Sequence, residues 1–130
     1  REHLIAAQRD LYQIMAELAF TDDLRPDAYR LPAARVAWLE EAIAAVEASV
    51  TLPPQFVLPG DTVSGAALDV ARTVVRRAER LAVRLDRAGQ MPNTEILRYL
   101  NRLSTLLFIV ARAEDLAETG GPRLAKGDQA

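Results

Sequence analysis

Between Gln55 and Arg80 the chain reads QFVLPGDTVSGAALDVARTVVRRAER, and Arg72, Arg76 and Arg80 recur in it at i, i+4 and i+8 of a helical pattern. At about 100° per residue, these arginines share one polar stripe with Asp69 and Glu79, while Leu68, Ala71, Val74, Val75, Ala78, Leu81 and Leu85 mostly supply the buried side. Like charges at this spacing repel by a few tenths of a kcal/mol per pair, so anions must lie close by. Asp69 and Glu79 supply them if the stripe is a solvated ladder of ion pairs, which contributes little to stability. A ligand supplies them if the stripe is a phosphate site, because the planar guanidinium fork matches phosphate oxygens and keeps its charge.

The flanking residues bear on that choice. Phe56-Val57-Leu58-Pro59-Gly60, then Ala71-Arg72-Thr73-Val74, then Arg76-Arg77-Ala78-Glu79-Arg80 and finally Tyr99-Leu100-Asn101-Arg102-Leu103-Ser104 follow in order. Together they resemble the PduO-type ATP:corrinoid adenosyltransferases, with their F-I/V-L-P-G-G turn, A-R-T-V-x-R-R-A-E-R helix and Y-L-N-R-L-S-D helix. Gln8-Arg9-Asp10-Leu11 with Ala16-Glu17-Leu18-Ala19 is similar to an earlier family helix, and the resemblance runs from about residue 4 to 113.

The resemblance implies transfer of the 5′-deoxyadenosyl group of ATP to Co(I) of a reduced corrinoid, with inorganic triphosphate leaving. That reaction requires a neutralised polyanionic leaving group and a carbon held in line with the metal. By resemblance Arg76 contacts the phosphates, and Arg77, Glu79 and Arg80 belong to the nucleotide segment, with Glu79 toward the nucleotide or its Mg2+. Asn101 lies near the adenosine, and Arg72 pairs with an aspartate across a subunit boundary. Phe56 occupies the lower face of the corrin and keeps the lower axial ligand off the cobalt; its residue type alone indicates only a core aromatic at a turn. The family is a five-helix bundle assembled as a homotrimer with ATP between subunits. A corrinoid reductase and an adenosylcobalamin-dependent enzyme are the further partners implied. The alternative is a non-catalytic ATP- or corrinoid-binding module on the same fold.

The departures from the family pattern are specific. Asp61 stands at the second glycine of the turn, Asp69 at a family histidine and Thr105 at an aspartate. The two added carboxylates are expected to weaken anion binding by repulsion, to ligate magnesium, or to pair with Arg72. The family's N-terminal T-G-D-x-G-x-T-x-L loop is not in the sequence, which opens at Arg1 inside a helical pattern. An N-terminal portion preceding Arg1 is the favoured expectation, a degenerate relative the other.

Composition fits a helical bundle. The chain has 130 residues, 50% of them hydrophobic and 5% aromatic, long enough for one real core. A net charge of −2 gives no reason to invoke nucleic acid, and zero cysteines excludes disulfides and thiolate chemistry while fitting a cytoplasmic location. The single histidine, His3, makes a histidine metal cluster implausible. The strongly apolar run Leu106–Ala111 is far shorter than the roughly 20 residues of a membrane span.

Four helical patterns and no strand pattern position these residues, giving an all-α up-down bundle. The first spans 2–20, with Leu4, Ile5, Gln8, Leu11, Tyr12, Met15, Leu18 and Ala19 inward. The second covers 33–50, with Val36, Leu39, Ile43, Val46 and Val50 inward and Trp38 as a packing residue. The third is capped by Thr62 or Ser64 and ends near Ala88, before Gly89 and Pro92. The fourth begins at an Asn93 or Thr94 cap and buries Ile96, Leu97, Leu100, Leu103, Leu107 and Val110. Asn101 interrupts that stripe as a buried amide, a register device or a ligand contact. The bundle domain spans 1–117, and 118–130 reads as a flexible tail.

Overall fold

A computed structural model of the chain describes residues 1–127. Four α-helices follow in order: α1 (Glu2–Ala19), α2 (Ala33–Glu47), α3 (Val63–Arg87) and α4 (Glu95–Thr119), with a short 3₁₀ turn at Asp27–Tyr29. Their ends obey local chemistry. Thr62 caps α3 by accepting the Gly65 N–H, and Asn93 Oδ1 accepts the Glu95 N–H at 3.1 Å where α4 begins. Gly89 and Gly120 follow the ends of α3 and α4 with φ of +70° and +79°, values glycine adopts without a Cβ penalty. Helix α2 stops at Glu47, earlier than its apolar pattern, where the Ser49 N–H and Oγ both bond the Val46 carbonyl.

Side-chain pairings set the directions. Asp69–Arg112 and Glu79–Asn101 run α3 antiparallel to α4. Asp10–Arg35 with Glu17–Leu31 runs α1 antiparallel to α2, and Asp10–Tyr99 with Glu17–Asn93 runs it antiparallel to α4. The result is the expected up-down, all-α bundle. Helix α4 is its axis, packed between α2 and α3, and Ile96, Tyr99, Leu100, Leu103, Leu106, Leu107 and Ile109 are all buried. Each such aliphatic side chain contributes about 1.5–3 kcal/mol when removed from water.

Helix α1 turns a different face inward from the one its apolar residues predict. Ala7, Asp10, Ile14 and Glu17 are buried, Leu4 and Leu11 pack beside the core, and Ile5, Tyr12, Met15 and Leu18 are exposed. The reason is pairing. Asp10 accepts from Arg35 at 2.8 Å and from the Tyr99 hydroxyl at 2.6 Å, while Glu17 Oε2 accepts the Leu31 N–H at 2.8 Å and the Asn93 amide at 3.3 Å. Buried carboxylates of this kind are stable only with such partners. Burial and the Asp10 bond push the Tyr99 hydroxyl well above its ordinary pKa, so it stays a donor.

A flexible tail from Glu118 meets a different arrangement. Helix α4 continues to Thr119, and residues 123–125 pair with the turn at 56–58 through Leu58 N–H to Arg123 O and Ala125 N–H to Phe56 O, both 2.8 Å. Long-range pairing of this kind leaves no period-2 pattern in a short segment. Residues 128–130 of the expected tail lie outside the described residues. No helix among the described residues is long and apolar enough to cross a membrane.

Candidate functional site

The polar face of α3 is divided by its partners into a paired half and an open half. Near its N-terminus, Asp69 accepts from Arg112 at 2.6 Å, and Arg112 lies 2.9 Å from Asp115. Asp115 also accepts the Thr62 hydroxyl at 2.9 Å, tying the α3 cap to the last turns of α4. Arg112 is 2% exposed and Asp115 fully buried, so one cation sits between two carboxylates in the low-dielectric interior. The cluster leaves no space at Gly65, where a Cβ would meet Asp115 Oδ1 at 2.1 Å.

Asp69 therefore does not pair with Arg72, and neither added carboxylate is left free to repel an anion. Asp61 accepts the Arg123 backbone N–H at 3.0 Å and its guanidinium, which together hold its carboxyl below the usual carboxylate range. Arg72 stands over the Phe108 ring with 5.4 Å between guanidinium carbon and centroid. It has no carboxylate partner among the described residues. Nothing in the structure explains Thr105.

The open half carries the residues singled out from the sequence. Arg76, Arg77, Glu79 and Arg80 line one surface depression of about 630 Å³, which Arg84 and Arg87 extend toward the end of the helix. Glu79 is its centre: one carboxylate oxygen accepts the Asn101 amide at 2.9 Å, and the other lies 3.9 Å from Arg76. Arg76 is 52% exposed, and a contact at 3.9 Å in water contributes little. Asn101 is exposed rather than buried as expected, and its amide reaches across to Glu79 on α3. It also lines a neighbouring hollow of about 480 Å³ with Arg98 and Arg102, the latter held by Glu40 at 2.6 Å.

Phe56 is 88% exposed, which removes its reading as a core aromatic. The turn around it is ordered by proline, by Gly60 at φ +89° and by the pairing with residues 123–125. Arg72 lines a third hollow, of about 380 Å³, with Pro59 and Gly60 of the same turn. The chemistry available is thus a row of exposed guanidinium groups, an amide–carboxylate pair able to donate and accept beside it, and an unpacked aromatic on a fixed turn. No three His, Asp, Glu or Cys side chains gather to hold a metal among the described residues. Magnesium needs only one or two carboxylates when substrate phosphates supply the rest, and Glu79 is the carboxylate present in the row.

Sequence reasoning passed over Arg112, Asp115 and Arg35, and read Asn93 only as a cap and Tyr99 only as part of a motif; together they fix the four helices against one another. A signal was available in Asp10 and Glu17, acidic residues seven apart on one helix face.

Comparison with known proteins bears on the family and the fold. The family model for cobalamin adenosyltransferase matches residues 1–114. The chain is 38% identical over 109 residues to a corrinoid adenosyltransferase of Bacillus subtilis, and 38% identical over 120 residues to a cobalamin adenosyltransferase of Cupriavidus metallidurans. Those matches cover 84% and 92% of this chain but 55% and 62% of the relatives, so the chain spans little more than half of their length. Among solved structures, a variant PduO-type ATP:corrinoid adenosyltransferase from Lactobacillus reuteri, complexed with cobalamin and ATP, superposes with a TM-score of 0.86 at 33% identity. That match covers 97% of this chain and 70% of that one.

Proposed function

The chain belongs to the cobalamin adenosyltransferase family, and on that footing we propose that it transfers the 5′-deoxyadenosyl group of ATP to Co(I) of a reduced corrinoid. The products are adenosylcobalamin and inorganic triphosphate. The observation that carries this reading is the open row Arg76, Arg77 and Arg80 with the Glu79–Asn101 pair at its centre, on a molecule whose other polar clusters are closed by internal partners.

In the reaction the cobalt electron pair forms the bond to the 5′ carbon as the carbon–oxygen bond to triphosphate breaks. Charge develops on the leaving oxygen. Arg76 meets it, because a fixed guanidinium stabilises that charge without reorganising. Arg77 and Arg80 hold the remaining phosphate oxygens, so the nucleotide is anchored at its anionic end and the 5′ carbon points away from the row. The Asn101 amide engages the adenosine side, with Glu79 fixing its orientation. Glu79 is the residue that would hold magnesium, directly or through water, and the ion would supply neutralising charge for the leaving triphosphate. Phe56 covers the lower corrin face; an aromatic that is 88% exposed on an ordered turn supports a role in contacting a large apolar ligand.

A homotrimer with ATP between subunits completes the reading. Val70, Val74 and Leu81 are 64%, 49% and 56% exposed on α3 beside the arginines, an apolar row suited to a neighbouring copy. Arg72, without a carboxylate partner among the described residues, awaits one across that boundary. Electrons for Co(I) come from a corrinoid reductase, and an adenosylcobalamin-dependent enzyme consumes the product in the cytoplasm.

The test is an anaerobic assay of the full-length protein with ATP, magnesium and chemically reduced cob(I)alamin, following the absorbance change as the cobalt–carbon bond forms. Light-sensitive product from wild type, and at least about a hundredfold slower formation by Arg76→Ala, is the expected result. Equal rates would remove Arg76 from the mechanism, and no product from wild type would overturn the activity.

A further inference from the structure

The turn that presents Phe56 is held from outside itself. Pro53, Pro54 and Pro59 deprive it of backbone donors, and Gly60 sits at a left-handed φ of +89°, so the segment makes no ladder of its own. Its backbone is fixed from the far end of the chain. The Ala125 N–H bonds the Phe56 carbonyl and the Leu58 N–H bonds the Arg123 carbonyl, both at 2.8 Å, bracketing an antiparallel bridge between Val57 and Leu124. Side chains alternate along such a segment. Val57 is partly covered, and Phe56 and Leu58 project to the open side at 88% and 41% exposure.

Asp61 locks this bridge. One carboxylate oxygen accepts the Arg123 backbone N–H at 3.0 Å and the other accepts its guanidinium Nε–H. A carboxylate holding one residue by both backbone and side chain fixes that residue's register as well as its position. Asp61 stands where the family turn resembled by this sequence has glycine, so the lock is a property of this chain.

We propose that Asp61 and Arg123 are positioning residues for Phe56: by clasping segment 123–125 to the turn, they set how far the aromatic projects and therefore how completely it displaces the lower axial ligand of a bound corrinoid. This rests on the assignment of Phe56 to the lower corrin face. The clasp touches neither the arginine row nor Asn101, so it acts on the corrin side of the reaction and leaves nucleotide binding alone.

The experiment uses the full-length protein with cob(II)alamin and ATP, and three variants: Asp61→Ala, Arg123→Ala, and a chain ended after Gly121. Absorption and electron paramagnetic resonance read the share of bound cob(II)alamin that has lost its lower axial ligand. Hydrogen exchange reads the Leu58 and Ala125 amides, and calorimetry reads ATP affinity. The expected result for Asp61→Ala and Arg123→Ala is faster exchange at both amides, a several-fold drop in the ligand-free share and a kcat lower by up to about tenfold, the scale of one lost charge-assisted hydrogen bond. ATP affinity stays unchanged. The shortened chain, which lacks Ala125, shows the same changes in full, with the Leu58 amide alone reporting the turn.

Unaltered exchange would show that the clasp does not hold the turn. Faster exchange with an unaltered ligand-free share would show a strap with no bearing on Phe56. Either result overturns the proposal while the adenosyltransferase reading stands. Wild type that never displaces the axial ligand would overturn the corrin-face assignment itself, and the positioning role with it.

Discussion

Arg112 and Arg76 are the same side chain at two places on the α3–α4 pair, in opposite circumstances. Arg112 is 2% exposed, with Asp69 at 2.6 Å and Asp115 at 2.9 Å. Arg76 is 52% exposed, and the carboxylate it approaches, Glu79, is 3.9 Å away and already bonded to Asn101. A cation inside the bundle is stable only between fixed anions. A cation in the open row, repelled by its neighbours at i−4 and i+4, is where an external anion gains most. Charge that holds the fold and charge left open to an external anion are therefore separated by which partners the fold supplies.

The largest effect expected on this contrast comes from Arg112→Met. Removing the cation leaves two carboxylates facing each other in the interior, and urea denaturation should show about 3–5 kcal/mol of lost stability. A loss below about 1 kcal/mol would mean the triplet is not what closes the paired half. Gly65→Ala tests the same cluster by space. The new Cβ would meet Asp115 Oδ1 at 2.1 Å, so the carboxylate or the helix must shift at a cost of about 1–3 kcal/mol. Neutral behaviour at this site would show the cap region able to move apart freely.

Tyr99→Phe gives the smallest effect and sharpens the comparison by pH. The lost bond to Asp10 should cost about 1–1.5 kcal/mol near neutrality. Because the folded state raises the Tyr99 pKa, its contribution is complete below the unfolded value near 10 and is lost as pH rises beyond it. The stability difference between wild type and variant should then be flat up to about pH 10 and shrink by up to about 1.4 kcal/mol per pH unit above it. A difference that shrinks on acidification instead would place the titrating group elsewhere.

The sequence exposes some of this and hides the rest for definite reasons. Helix α3 and the start and core face of α4 are legible because Thr62, Gly89 and Asn93 act locally and the apolar stripe of α4 is long and regular. The inward face of α1 is not legible. Asp10 and Glu17 point inward only because Arg35, Tyr99, Leu31 and Asn93, up to 89 residues away in sequence, supply their partners. The open row is legible as a row of arginines, yet its openness is not, since Asp69 is taken by Arg112 from a different helix. The exposure of Phe56 follows from neither its type nor its spacing; the resemblance to the family pointed to the residue alone, and the bridge to residues 123–125 holds the turn that presents it.

The most direct test of the division between paired and open charge is the unfolding midpoint of wild type and Arg76→Ala, each measured with and without saturating MgATP. The account predicts equal midpoints without nucleotide, within about 0.5 kcal/mol, as expected for a surface side chain without a strong partner. It predicts a clear upward shift with MgATP for wild type, and little or none for Arg76→Ala. A variant that is destabilised without nucleotide, or stabilised by MgATP as much as wild type, would contradict the claim that the open arginines belong to the ligand.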